Sequence, residues 1–211
     1  VLSAAKGQQC AEINANSDSA LYQDVLTVPG STMYWQLSHL GRSMDNGEPK
    51  SGSDTMYVLI MPYSSAQGIT TQEQVNNVLK NKDKYLGAQV TKITYTWKWE
   101  ESKNGWEKTY TMYHDGTKTF EYDSDGNCKQ LEDPWQVTSG SYKVPEGQYL
   151  TRYFFVSGST ATGNNTVGNH IDNVWFSTDL PPANPGSTNL TIQKTIEVDG
   201  WDKMTEEEQK K

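Results

Sequence analysis

Between residues 89 and 99, Ile93, Tyr95, Trp97 and Trp99 alternate with Lys92, Thr94, Thr96 and Lys98. A period of two puts the four large side chains on one side of an extended strand and the four polar ones on the other, a separation no helix can make. The same alternation runs through much of the chain. In residues 32–40, Met33, Trp35 and Leu37 oppose Tyr34, Gln36 and Ser38, so one face there is expected to be core and the other not. Residues 20–28, 106–113, 117–122, 135–144, 148–157 and 169–177 also read as strands. Residues 55–61 are almost wholly apolar and are expected in mid-sheet with both faces covered. Seven Trp and twelve Tyr against four Phe suit such pleated surfaces, where a ring packs and its polar tip stays wet.

Turn residues punctuate the strands. Pro29-Gly30 predicts a hairpin joining 20–28 to 32–40. Asp115-Gly116 predicts another joining 106–113 to 117–122, and Asp123-Ser-Asp-Gly-Asn127 is the next turn. One helix interrupts the pattern, over residues 71–86. Thr70 and Glu73 have capping-box spacing, Val75, Val78, Leu79, Tyr85 and Leu86 share a side, and Gly87 ends it. Many short strands with a single amphipathic helix predict a mainly β fold, a β-sandwich with that helix inserted.

The run Leu180-Pro-Pro-Ala-Asn-Pro-Gly-Ser-Thr188 divides the chain. Residues 1–179 form the β-rich module, 180–188 a linker that favours extended conformations, and 189–211 a period-2 strand (189–198) followed by an acidic helical start. A strand and one helical turn cannot bury a core alone, so 189–211 is expected to open a further domain of a longer, modular, extracellular protein.

Composition removes several classes of function. A formal net charge of −8 without a Lys/Arg run repels phosphate backbones, so nucleic acid is not an expected partner. No apolar stretch has the roughly 18 residues needed to cross a bilayer, so no membrane insertion is expected in this segment. Cys10 and Cys128 either pair, closing a loop of roughly 120 residues, or stand as separate small hydrophobes. Neither has a Cys or His at zinc-ligand spacing. His39, His114 and His170 are scattered and no nucleophile neighbours them in sequence. Carboxylate pairs that a glycosidase would need exist at Glu100-Glu101 and Glu121/Asp123, but on strand ends and turns, where such groups are ordinarily just solvated.

Binding rests on the aromatic residues. Trp106 and Tyr110, with Tyr113 nearby, and the loop residues Tyr63 and Trp135 are the candidates for exposed rings that stack on a sugar or anchor a protein. Trp35, Trp97, Trp99, Phe154 and Trp175 are expected to face inward.

Gln8-Gln-Cys-Ala-Glu-Ile-Asn-Ala-Asn16, Tyr34-Trp-Gln-Leu-Ser-His39, Thr151-Arg-Tyr-Phe-Phe-Val-Ser157 and Gly168-Asn-His-Ile-Asp-Asn-Val-Trp-Phe176 resemble a jelly-roll module of large wall-anchored proteins from Gram-positive gut bacteria. The last block is also similar to the closing strand of carbohydrate-binding jelly rolls, where an Asp ligates a structural calcium; carried over, that role falls on Asp172. The opening strands of such modules, with Asn-Gly-Ser-Phe-Glu-like and Pro-Gly-Trp-like elements, are not found before Gln8. Leu190-Thr-Ile-Gln-Lys-Thr-Ile196 and Met204-Thr-Glu-Glu-Glu208 resemble the start of a pilin-type, collagen-adhesin B-like stalk domain, in which Lys194 would take the place of the isopeptide-forming lysine. The resemblance implies an extracellular, cell-wall-anchored, non-catalytic adhesin module that recognises glycan or host protein. Its alternatives are an immunoglobulin-binding, superantigen-like module, which the elaborate stretch 66–133 favours, a structural spacer, and last a glycosidase.

Overall fold

The computed structural model describes residues 4–15, 17–42, 44–45 and 48–181, with the backbone alone at 45 and 48. The linker from 182 onward, the strand at 189–198 and Lys194 lie outside the described residues. Thirteen strands are present among those described: β1 (Ala11–Glu12), β2 (Ala20–Leu26), β3 (Thr32–Leu40), β4 (Met44–Asp45), β5 (Glu48–Pro49), β6 (Gly52–Pro62), β7 (Gln89–Asn104), β8 (Glu107–His114), β9 (Thr117–Tyr122), β10 (Cys128–Gln130), β11 (Gln136–Lys143), β12 (Leu150–Ser157) and β13 (His170–Ser177). They form two antiparallel sheets, β1-β13-β3-β11 and β10-β9-β8-β7-β6-β12-β2, and a small β4-β5 ribbon. The fold is mainly β and sandwich-like, as the alternating pattern predicts. No helix among the described residues is long and apolar enough to cross a membrane.

The sheets meet over a core built from alternate residues of both. Met33, Trp35, Leu37, Tyr142 and Ile171 of the smaller sheet pack on Met56, Val58, Ile60, Ile93, Tyr153 and Phe155 of the larger. Residues of opposite parity on the larger sheet, Leu59, Met61, Phe154 and Val156, are buried instead against Ala66, Ile69, Val75 and Val78 of the helical segment. The apolar run at 55–61 is thus covered on both faces. A third cluster of Leu40, Tyr95, Trp97, Met112, Phe120 and Trp135 closes the far end. Gly41 permits the close approach there, because a Cβ on it would lie 2.9 Å from Tyr95 Cδ1 and nearer still to the Trp97 ring.

Three expectations are corrected. Pro29-Gly30 is a crossover and no hairpin: β2 pairs with β12 in the larger sheet, whereas β3 lies between β13 and β11 in the smaller. Gly30 N–H donates to Val144 O across the gap, tying the turn to the end of β11. The second face of β3 is also buried at Gln36 and Ser38, with Trp175 of β13 in register beside Gln36. Lastly, the helical region is divided into α1 (Tyr63–Ala66), α2 (Gln72–Lys80) and a 3-10 turn at Lys82–Lys84. Thr71, not Thr70, caps α2, in a capping box with Gln74. Val75 and Val78 are buried, and Glu73 is exposed in the first turn, where a negative charge favours the helix dipole. The Asn81 amide side chain donates to Asn77 O at the C-terminus, and Leu86 ends almost fully exposed.

Candidate ligand-binding site

β7 is 16 residues long, but its ladder with β6 ends at the pair Gly52 and Trp97. From Lys98 on it pairs only with β8, so β7 to β10 extend past the sandwich as a four-stranded wing. Asn104 and Glu107 close the β7–β8 hairpin around Gly105-Trp106, with Gly105 at φ 65° as a two-residue turn requires. The β8–β9 turn is Asp115-Gly116, both at positive φ, as the sequence predicts. A bulge follows at Thr119: the register runs His114 to Thr117 and Tyr113 to Lys118, then shifts so that Met112 faces Phe120 and Tyr110 faces Tyr122. Without that extra residue Tyr110 would oppose Glu121.

One face of the wing thereby carries a row of rings that rises out of the core. Trp97 is buried, Trp99 and Tyr122 are half-buried and meet edge to face at 5.5 Å, Tyr110 is half-buried, and Trp106 at the hairpin tip is fully exposed. Trp106, Tyr110 and Tyr122, with Met44, Pro49, Lys108 and the Asp123–Gly126 turn, line a groove of about 460 Å³. Glu101, 3.7 Å from Lys108, is held below the usual carboxylate range by Lys103, 3.1 Å away, with Lys108 and the Tyr110 hydroxyl contributing. Asp123 is also lowered, by the Asn127 side chain and backbone amides of its own turn. Burial, then the Cys128 thiol, raises the Tyr122 phenol, so it stays a neutral donor.

The structure therefore brings together two of the five expected ring residues, Trp106 and Tyr110. Tyr113 lies on the opposite, charged face, beside Glu100 and with Lys118 5.8 Å from its ring. Trp135 is corrected from exposed to buried, because it packs on Leu40, Tyr95 and Trp97 at the start of β11. Tyr63 opens α1 and stacks at 5.0 Å on Arg152, which is clamped to Asp24 by bonds of 2.6 and 2.8 Å. Trp35, Trp97 and Phe154 are inward, while Trp99 and Trp175 are half-buried. Tyr122 joins the candidate site although sequence reasoning missed it; its alternation with Phe120 was legible, but the bulge that sets it opposite Tyr110 was not.

Two other expected sites resolve differently. Asp172 accepts the Lys6 and Asn173 backbone N–H groups at 2.9 and 2.6 Å and so caps a bulge in β13 at which Asn173 has φ 49°. Among the described residues no group of three or more His, Cys, Asp or Glu is placed to hold a metal. Cys10 and Cys128 are both free and exposed, neither bridged nor core.

His39 lies within electrostatic reach of the other two histidines, which are remote from it in sequence. His39 is fully buried, and its Nε2 bonds Asn169 Oδ1 at 2.7 Å, with Asn169 in turn bonded to Asn14. Burial lowers its pKa to about 4, with charges on His170 and His114 acting the same way. Asp54 is also buried, and burial raises it to about 6 although the amides of Ala161 and Arg42 each donate to it at 2.8 Å. No family model, curated protein or solved structure matches this chain.

Proposed function

We propose that the chain is a non-catalytic binding module of jelly-roll type, carried by a cell-surface protein, which grips a glycan or a host protein through the ringed face of its wing. The observation that carries this reading is Trp106, fully exposed beside Tyr110 and Tyr122 at the mouth of a groove. Leaving an indole in water forgoes about 2–3 kcal/mol of burial, which contact with a partner recovers. The half-buried rings beneath continue the apolar surface inward from Trp106, and exposed rings suit both a sugar face and a protein hot spot. Hydrolysis gains no support here: Glu100 and Glu101 point to opposite faces of β7, each held ionised by a lysine, so neither is poised to give up a proton. An immunoglobulin-type partner is the second reading, favoured by the placement of the groove on a projecting wing, which reaches a protein surface more easily than a recessed platform does.

The full chain, printed against a glycan array and used to pull down immunoglobulin, tests the proposal. Trp106→Ala should lower whichever affinity is found by at least about tenfold, with Tyr113→Ala, on the other face, unchanged. An unchanged affinity in Trp106→Ala, or substrate turnover, would overturn it.

A further inference from the structure

The larger sheet ends in two different ways. Its β10 edge is three residues long and carries Lys129, the short, charged form that keeps sheet edges from pairing. Its β2 edge has no such protection: residues 20–26 contain neither Lys nor Pro, and they pair with β12 along their whole length without a bulge. Thr27 N–H donates to Tyr149 O, and Ser157 N–H donates to Ser19 O, so the odd-numbered residues of the strand bond inward to β12. The backbone groups of Ala20, Tyr22, Asp24 and Leu26 therefore point outward, unpaired by any strand among the described residues. Five of the nine large apolar side chains exposed among the described residues lie on or beside this strand: Leu21, Tyr22, Leu26, Val28 and Tyr149. On the inner face, where Val25 packs in the core, Leu21 borders a groove of about 1030 Å³ that reaches Phe155, Ile171 and Val174.

We infer that this edge pairs, antiparallel, with the β2 edge of a second copy of the chain, so that a two-fold axis joins the two larger sheets into one. The strand is self-complementary, as such a contact requires. Outward backbone groups can bond only to outward ones, so even-numbered residues face even-numbered residues and the axis passes at a residue, not between two. Only an axis at Gln23 pairs the whole of 20–26 with itself. Ala20 then faces Leu26 and Tyr22 faces Asp24, which satisfies the outward N–H and C=O of all four residues in both copies. On the inner face, Leu21 meets Val25 and Gln23 meets its own counterpart. Charge permits the approach. Asp24 is the one charged residue of the strand, and Arg152 of its own copy holds it at 2.6 and 2.8 Å, so the edge is neutral in a chain of net charge −8. An axis at Asp24 would set two carboxylates face to face, and an axis at Gln23 avoids that. Because the axis stands perpendicular to the joined sheet, the smaller sheets lie on one side of it and the two grooves meet mouth to mouth over Leu21. That widens the contact beyond a ladder about 23 Å long. The wings lie toward the opposite edges of the joined sheet and stay free, whatever they bind.

Sedimentation equilibrium on the full chain, from about 1 to about 300 μM, should show a mass rising toward twice 23.7 kDa. Gln23 is exposed, so Gln23→Lys disturbs no core, yet it sets two cations opposite each other at the axis. It should raise the dissociation constant of the dimer at least about tenfold, and Gln23→Glu should do the same. Mixed one to one, the two variants should recover the dimer, which a folding defect could not do. In a Cys10→Ser, Cys128→Ser background, Gln23→Cys should form a disulfide between chains on mild oxidation, since a non-hydrogen-bonded antiparallel pair holds its Cα atoms about 4.5 Å apart. Leu21→Cys, which faces residue 25 of the second copy, should not. A chain that stays monomeric at every concentration would overturn the inference; slow exchange of the outward β2 amides in that monomer would mean that something else covers the edge. A dimer indifferent to both charge variants, or one cross-linked equally well through Leu21→Cys, would overturn it too.

Discussion

His39 and Asp54 are both sealed from solvent, and their titrations oppose each other, which makes the pH dependence of stability a sharp test of the buried polar region. His39 falls from 6.5 to about 4, so between those values the unfolded chain holds a proton there that the folded chain does not. Stability from this group is complete above pH 6.5 and is lost as pH falls toward 4. Asp54 rises from 3.8 to about 6, so in nearly the same window the folded chain holds a proton that the unfolded chain has released. Its effect is reversed: stability is greatest below 3.8 and declines as pH rises through 6. Each shift is a little over two units, or about 3 kcal/mol. Between pH 4 and 6 the folded and unfolded chains therefore bind the same number of protons at this pair, and the two contributions cancel. Asp54→Asn should expose the His39 slope, gaining about 3 kcal/mol relative to wild type on going from pH 4 to 6.5, and His39→Gln should expose the Asp54 slope, losing about as much from pH 4 to 6. Urea denaturation at half-unit steps, read as the difference from wild type at each pH, removes the background of the other carboxylates and of His170. Parallel difference curves, or slopes of the same sign, would refute the assignment.

Two further outcomes follow from the packing. Because Cys10 and Cys128 are free and exposed, an aromatic disulfide reagent should titrate two thiols in the native chain, and a reductant should leave its melting temperature unmoved; no native thiol at all would contradict the structure. Gly41→Ala should destabilise by about 1–3 kcal/mol in urea, since the added methyl meets the rings of Trp97 and Tyr95 in a filled core, and a neutral result would mean that the far-end cluster is looser than described.

Strand positions were legible because alternation is a local signal, and the Asp115-Gly116 hairpin was legible because two positive φ values need that kind of dipeptide. Pairing was not. Pro29-Gly30 has the residues of a hairpin turn, yet β3 is buried on both faces between two neighbours, while β2 is an edge strand exposed along most of its length. Which sheet a strand joins depends on what covers its second face, and no short window of sequence contains that. The helix shows the same limit more finely. Thr70/Glu73 and Thr71/Gln74 both have capping-box spacing, and the spacing alone does not say which threonine closes the box.

The aromatic row of the wing depends on a residue that is not part of it. Thr119 is almost fully buried, its Oγ1 donates to Met112 O at 3.3 Å, and its carbonyl accepts Leu131 N–H at 2.8 Å, so the bulge is fixed from both sides. A one-residue slip exchanges the faces of a strand. By absorbing one residue between Lys118 and Phe120, the bulge keeps Phe120 on Met112 in the core and sets Tyr122 beside Tyr110, above Trp99. It does so while the Asp-Gly turn holds its own preferred register. The conflict between the turn and the core is thus settled inside β9, and its product is the continuous aromatic row that ends at Trp106. Sequence reasoning found the two ends of that row, Trp97 and Trp106, because each obeys a local rule. It missed Tyr122 because that residue's position is decided by a compromise between two such rules.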